Sequence, residues 1–236
     1  MRSVSATSIN TYNMCPQWWQ WHYEFKLPQL PNDAFIVGTA YHKGLEQWGS
    51  GMAKDLIIDN AKRELIKNKT KEEIERFGLV RKLLTKFFDN PLEGDILHRE
   101  YEFKTRVPNL PVSLFGYIDR VDVEKIIEYK TSSFDYKEKD MRNFQSKIYS
   151  YVVWKLLGKI LPVHYSVNNK KKVNDDEYVP QDLSILYTKE ELIDLEKDLI
   201  EFYNKVQDKK FEHKQGSHCY WCPYGSKGTN NCPYSL

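Results

Sequence analysis

No run of apolar residues in the chain approaches the ~20 needed to cross a bilayer as a helix, which excludes a membrane-spanning helical protein. The opening "MRSVSATSIN" has no apolar core of the kind a secretory signal carries, so a cytoplasmic location is expected. Thiols stay reduced there, and the four cysteines are not expected to pair as disulfides. An excess of one charge is also missing. Thirty-five Lys and Arg against thirty-three Asp and Glu leave a net charge of +2, so any nucleic-acid-binding face must come from local sorting of cations. The triplet Lys170-Lys171-Lys172, in "VNNKKKVNDDEY", reads first as a solvated loop and second as a phosphate contact. No phosphate-cradling G-x-x-x-x-G-K-[ST] loop occurs, so a helicase motor would have to sit on a separate chain. Repeats, low-complexity tracts and long linkers are absent as well, and one domain over residues 1–236 is expected.

What is present is a sizeable apolar fraction, 41%, with 14% aromatic residues. Residues 1–95 read as helical: Ser5, Thr7 or Ser8 can cap a first helix, and Pro16 suits the start of a second. "FIVGTAYHKGLEQW" reads as a helix stopped by Gly49 and Gly51, followed by helical patterns over Lys54–Lys67 and Lys71–Phe88. From about residue 96 the period changes to that of strands, in "LHREYEFKTRV", "VSLFGYIDRVDV" and "KIIEYKTS". A helix over Asp140–Leu157, strands near Val163–Val167 and Leu183–Tyr187, and a charged helix over Lys189–Lys209 follow. Helices packed on a small mixed sheet make an α/β (α+β) fold, with the sheet core in 96–190 and a Cys-rich tail ending 191–236.

The chemistry concentrates in "FGYIDRVDVEKIIEYKTSS". If Glu124 and Lys125 form the turn, Asp119 faces Lys130 and Val121 faces Glu128. Asp119 and Glu128 then lie diagonally on one face, because side chains alternate along a strand. By the same parity Asp122 faces away and is structural. Two carboxylates beside a lysine suit a hard divalent cation such as Mg²⁺ or Mn²⁺. The plain alternative is a surface hairpin with a weak exposed ion pair. His42 and Glu46, at i and i+4, share a helix face, as do Gln145 and Tyr149. A lone histidine or an amphipathic helix with a core tyrosine would look the same.

"GYIDRVD" followed by "IIEYKTS" resembles the PD-(D/E)xK nuclease core in its RecB-like form, with "GTAYH" ending at His42 and "QSKIY" from Gln145 to Tyr149 similar to that group's flanking motifs, in the expected order. The resemblance implies a restriction-endonuclease-like core and phosphodiester hydrolysis. His42, Asp119, Glu128 and the Tyr129 carbonyl would hold Mg²⁺ or Mn²⁺. Lys130 would join Asp119 and Glu128 as catalytic residues, and Gln145 and Tyr149 would contact DNA. Ile118 stands where the motif's proline would be.

Cys15 near the start and Cys219, Cys222 and Cys232 near the end make a one-plus-three set. Spacing alone leaves zinc and iron–sulfur ligation open. The layout resembles that of the iron–sulfur nucleases, the AddB-type domains and CRISPR-associated RecB-like exonucleases, and so implies a 4Fe–4S cluster tying the tail to Cys15, with exonuclease action on single-stranded DNA ends. A helicase or integrase partner on another chain, in CRISPR adaptation or in recombination and repair, is consistent with that group. The alternative is a non-catalytic DNA-end-binding module with a structural Fe–S or Zn site.

Overall fold

Ser5 starts the first helix, α1 (Ala6–Met14), by a reciprocal capping box. The Ser8 amide donates to Ser5 Oγ at 3.2 Å and the Ser5 amide to Ser8 Oγ at 3.1 Å, which satisfies donors the helix itself cannot. In this computed structural model, residues 3–29, 33–67, 73–226 and 228–234 are described. Two units are formed by chain segments: Met1–Pro31, Glu102–Gly116 and Tyr187–Leu236 make the first, Asn32–Tyr101 and Tyr117–Leu186 the second.

In the first unit a short strand missed in the sequence, β1 (Ser3–Val4), precedes α1 and runs parallel to Ser113–Leu114. Pro16 opens α2 (Pro16–Trp19), which passes into a π-helical turn over Gln20–Glu24. Near the C-terminus, α8 (Lys189–Gln207) buries Leu192, Leu195, Leu199, Phe202 and Val206, a spacing of three and four that marks one face. Tyr12 packs edge-on against Phe202, with ring centroids 5.3 Å apart, and its hydroxyl donates to the Lys210 carbonyl at 2.5 Å.

The second unit holds α3 (Asp33–Gln47), α4 (Lys54–Lys67) and α5 (Glu73–Asp89). Gly49 and Gly51 follow α3 with φ of 75° and 84°, backbone that favours glycine. Lys71, the expected start of α5, lies outside the described residues. Strand β2 (Ile96–Thr105) and strand β3 (Ser113–Asp122) each give residues to both units. β4 (Ile126–Ser132), β5 (Val163–Asn169) and β6 (Gln181–Ile185) complete a mixed sheet of order β1-β3-β4-β5-β6, with β2 also beside β3. β3 is antiparallel to β4, β4 parallel to β5, and β5 antiparallel to β6. β4 is buried over most of its length, as a central strand should be. Its Ile127 and Tyr129 join a core with Ile36, Val37, Tyr41, Leu83 and Phe87.

The helix expected over Asp140–Leu157 is two helices, α6 (Glu138–Met141) and α7 (Phe144–Leu157). Asn143 breaks it by accepting from the Gln145 and Ser146 amides at 2.9 and 3.1 Å, a capping geometry that suits asparagine better than a place mid-helix. The β3–β4 register also differs from expectation by two residues. Arg120 lies opposite Ile127 and Val121 opposite Ile126, so the turn is Val123-Glu124. The Asp122 amide closes it on the Lys125 carbonyl at 2.8 Å, and the Val123 amide donates to the Asp95 carbonyl at 2.9 Å. No helix among the described residues is long and apolar enough to cross a membrane.

On the face of β3 away from Asp119, Arg120 and Asp122 form a buried two-pronged ion pair, with Nε–Oδ1 at 2.6 Å and Nη2–Oδ2 at 2.7 Å. Arg120 also donates to the Leu92 carbonyl at 2.9 Å and to that of Gly94 at 3.3 Å. A Cβ at Gly94 would run into the Asp122 carboxylate, so the chain can approach there only as glycine. Asp122→Ala would strand the Arg120 charge in the interior, and a loss of about 3–5 kcal/mol is expected, read as a lower urea midpoint.

Candidate active site

Continuing the observed register sets Asp119 of β3 against Glu128 of β4, directly opposed rather than diagonal. Both are buried, at 9% and 1% exposure, in strands whose neighbours leave them little water. Asp119 Oδ2 accepts from the Tyr129 amide at 2.8 Å, while Oδ1 lies 3.3 Å from Nδ1 of His42, which α3 carries in. Glu128 Oε1 is paired with the Lys130 ammonium. Its Oε2 is buried with no hydrogen-bond partner, a condition that folded proteins rarely leave a carboxylate in without reason.

The helix α7 supplies the next link. Lys130 Nζ donates to Gln145 Oε1 at 3.1 Å, and Gln145 Nε2 donates to the Tyr149 hydroxyl at 2.8 Å. The i, i+4 pair on α7 thus fixes the lysine from the helix side. Tyr149 is itself buried, while Gln145 is half-buried. The Tyr129 side chain points into the core, its ring edge-on to Phe87 at 5.5 Å, so the site meets this residue through its peptide.

Glu100 is the residue that sequence reasoning missed. On β2, it brings a carboxylate oxygen together with His42 and Asp119, the ligand atoms of the three lying within 4.8 Å of one another. Glu128 is not one of this trio, and its Oε1 is paired with Lys130. Glu100 reaches the trio through a left-handed backbone, φ 44°, which for a glutamate within a strand costs on the order of 1–3 kcal/mol and clusters at functional sites. In "HREYEFKT" nothing distinguishes it from an ordinary polar strand position. Glu46, one turn past His42, is instead paired with Lys43 at 2.6 Å.

The electrostatics follow from crowding acids in a buried place. Burial, and then the Asp119 charge, push the Glu128 carboxyl up to about 7. Burial and Asp119 do the same to Glu100, also to about 7. Burial works against the charged forms of Asp119 and His42 too, but their mutual attraction prevails: Asp119 is held below the usual carboxylate range and His42 is raised to about 9. Lys130 is raised as well, since Glu128 and Asp119 outweigh its burial, so it stays an ammonium. Three carboxylates, one of them with an unpartnered oxygen, and one imidazole fit a hard divalent cation, for which oxygen ligands with a histidine are suitable donors.

With this geometry in view, comparison with known proteins identifies the chain. The model of the PD-(D/E)XK nuclease superfamily matches residues 3–226, and the protein belongs to that superfamily. Members use divalent metals. Its fold is similar to that of a protein from Eubacterium rectale provisionally named an exonuclease, with a TM-score of 0.63 and 12% identity over 94% of this chain and 88% of that one. A further solved structure, SSO0001, matches at 12% identity over 100% of this chain and 88% of that one, with a TM-score of 0.46. None of the curated proteins is similar enough in sequence to match.

Replacing Glu100 by Gln removes one negative oxygen from the trio while keeping its size. Mn²⁺ affinity is expected to fall about 10- to 100-fold by titration calorimetry, while Glu46→Gln changes it by less than about twofold.

Proposed function

We propose that the protein is a Mg²⁺- or Mn²⁺-dependent deoxyribonuclease, acting as an exonuclease on single-stranded DNA ends. The observation that supports this best is the meeting of Asp119, Glu128 and Lys130 with His42 and Glu100, and with it the unpartnered oxygen of Glu128. His42, Asp119, Glu128 and the Tyr129 carbonyl are the assigned metal ligands, and Glu100 joins them. A bound Mg²⁺ or Mn²⁺ would supply Lewis-acid stabilisation of the phosphodiester. Lys130 holds its proton and offsets charge growing on the phosphoryl oxygens. Gln145 keeps that ammonium aimed and, with Tyr149 bracing it, faces the strand at the scissile phosphate. The whole chain works as one nuclease domain in the cytoplasm, in CRISPR adaptation or in recombination and repair, with any helicase or integrase supplied by another chain.

Cys15, Cys219, Cys222 and Cys232 are assigned to a 4Fe–4S cluster. All four are free thiols lining one small pocket with Trp18, Trp21, His213 and His218. Burial first, then the neighbouring Cys232 and Cys15, raise the Cys222 thiol, which is the crowding of sulfurs that a cationic centre relieves. His213 Nε2 is buried there without a partner, as a donor toward cluster sulfur would be. The cluster's role is to hold Cys15 to the tail.

Digestion of end-labelled single- and double-stranded DNA with Mn²⁺, Mg²⁺ or chelator tests the activity. Cleavage from the ends of single strands is expected with metal and none with chelator, and Asp119→Ala or Lys130→Ala is expected to lower it about 100-fold or more. Wild-type rates in both variants would remove the enzyme reading. Anaerobically purified protein should be brown, and Cys15→Ser should bleach it and lower its melting temperature; colourless wild-type protein containing zinc would replace iron with zinc.

A further inference from the structure

β4 and β5 run parallel and end together, with Ser132 opposite Asn169. Ligands in sheets with parallel strands gather outside the carboxyl ends of those strands. β4 carries Glu128 and Lys130 and ends at Ser132, and the loop that leaves it, Ser133–Lys137, reads "SFDYK".

This loop is fixed on both sides. The Phe134 amide donates to Ser132 Oγ at 3.1 Å, and the Tyr136 amide to Gln181 Oε1 at 2.8 Å, with Gln181 Nε2 returning to the Tyr136 carbonyl at 3.3 Å. Asp135 accepts from Asn169 Nδ2 at 2.8 Å and pairs with Lys172 at 2.5 Å.

The aromatic groups of the loop form a graded run. Phe134 is 59% exposed and stacks on the half-buried Tyr136, with centroids 5.6 Å apart and planes 19° apart. Tyr136 in turn lies 6.1 Å from Tyr165, the residue opposite Glu128 in β5. Burial raises the Tyr136 phenol above its ordinary range, with Lys130 opposing and Glu128 adding to the rise. An isolated exposed phenylalanine needs no explanation. One held in an offset, near-parallel stack against a second ring, over an anchored backbone, and leading to the strand partner of Glu128 is a different object.

Cations stand beside it. The Lys170 amide donates to the Ser132 carbonyl at 2.7 Å, which places the start of the basic triplet against the root of the loop. Lys172 is taken by Asp135, whereas Lys170 and Lys171 have no carboxylate partner among the described residues.

We propose that this loop is a base-stacking platform for unpaired DNA: Phe134 receives a nucleobase on its open face, Tyr136 backs it, and Lys170 and Lys171 take the adjoining phosphates. The proposal rests on the nuclease reading and adds the residues that would select its single-stranded substrate, since a duplex keeps its base faces covered while a single strand offers them to an aromatic ring.

Binding of fluorescein-labelled oligodeoxythymidine, of an abasic strand of equal length and of a blunt duplex is measured by anisotropy in chelator, so that no cleavage intervenes. Phe134→Ala is expected to weaken oligodeoxythymidine binding about 5- to 100-fold and to leave abasic-strand and duplex binding within about twofold, while Phe134→Trp retains wild-type affinity. The double variant Lys170→Ala/Lys171→Ala is expected to reduce the salt slope on single strands by about 1.4, at ~0.7 per phosphate released. Equal losses on all three DNAs, or none on oligodeoxythymidine, would overturn the platform while leaving the nuclease reading intact. Wild-type protein that binds no DNA and cuts none would overturn both.

Discussion

The pairing of β3 with β4 is the constraint on which the site depends. It opposes two carboxylates whose charges repel each other, and it does so at a place that leaves them little water. The opposite face of β3 secures that pairing: Arg120 and Asp122 neutralise each other and tie the strand to the carbonyls of Leu92 and Gly94. One strand therefore carries two ion systems, a closed one that holds it in place and an open one where the proposed chemistry lies. The closed pair has its charges matched prong for prong. The open group does not, and that imbalance is what marks it.

Crowding gives the open group its character. Burial and the Asp119 charge raise the cost of ionising Glu128 and Glu100, and the neighbouring cations offset only part of that cost, whereas His42 holds Asp119 ionised. A divalent cation offsets more, because it meets several oxygens at once. Glu100 shows how far the fold goes to assemble these oxygens, holding a glutamate in left-handed backbone to bring one more within reach. The hydrogen bonds from Lys130 through Gln145 to Tyr149 then keep the ammonium from wandering.

The cysteine region follows a different logic. Cys15 comes from the early part of the chain and its three partners from the tail, and Trp18, Trp21 and Tyr224 pack around them. A cluster proposed on these four would close a long loop, which removes freedom from the unfolded chain more than it adds contacts to the folded one.

Much of this was legible in the sequence because it depends on local periodicity. The alternation in "GYIDRVD" and "IIEYKTS" placed Asp119 and Glu128 on one face and Asp122 on the other, and that parity survived a register change of two residues. The i, i+4 spacing of Gln145 and Tyr149 likewise set them on one side of a helix. Tertiary structure decided the rest. The turn moved to Val123-Glu124 because Asp95 draws the Val123 amide, the helix before Leu157 split because Asn143 caps better than it propagates, and Glu100 joined His42 and Asp119 through a backbone conformation that no side-chain pattern encodes. Periodicity states which face a residue takes; which residues from distant segments share that face depends on packing between segments far apart in the chain.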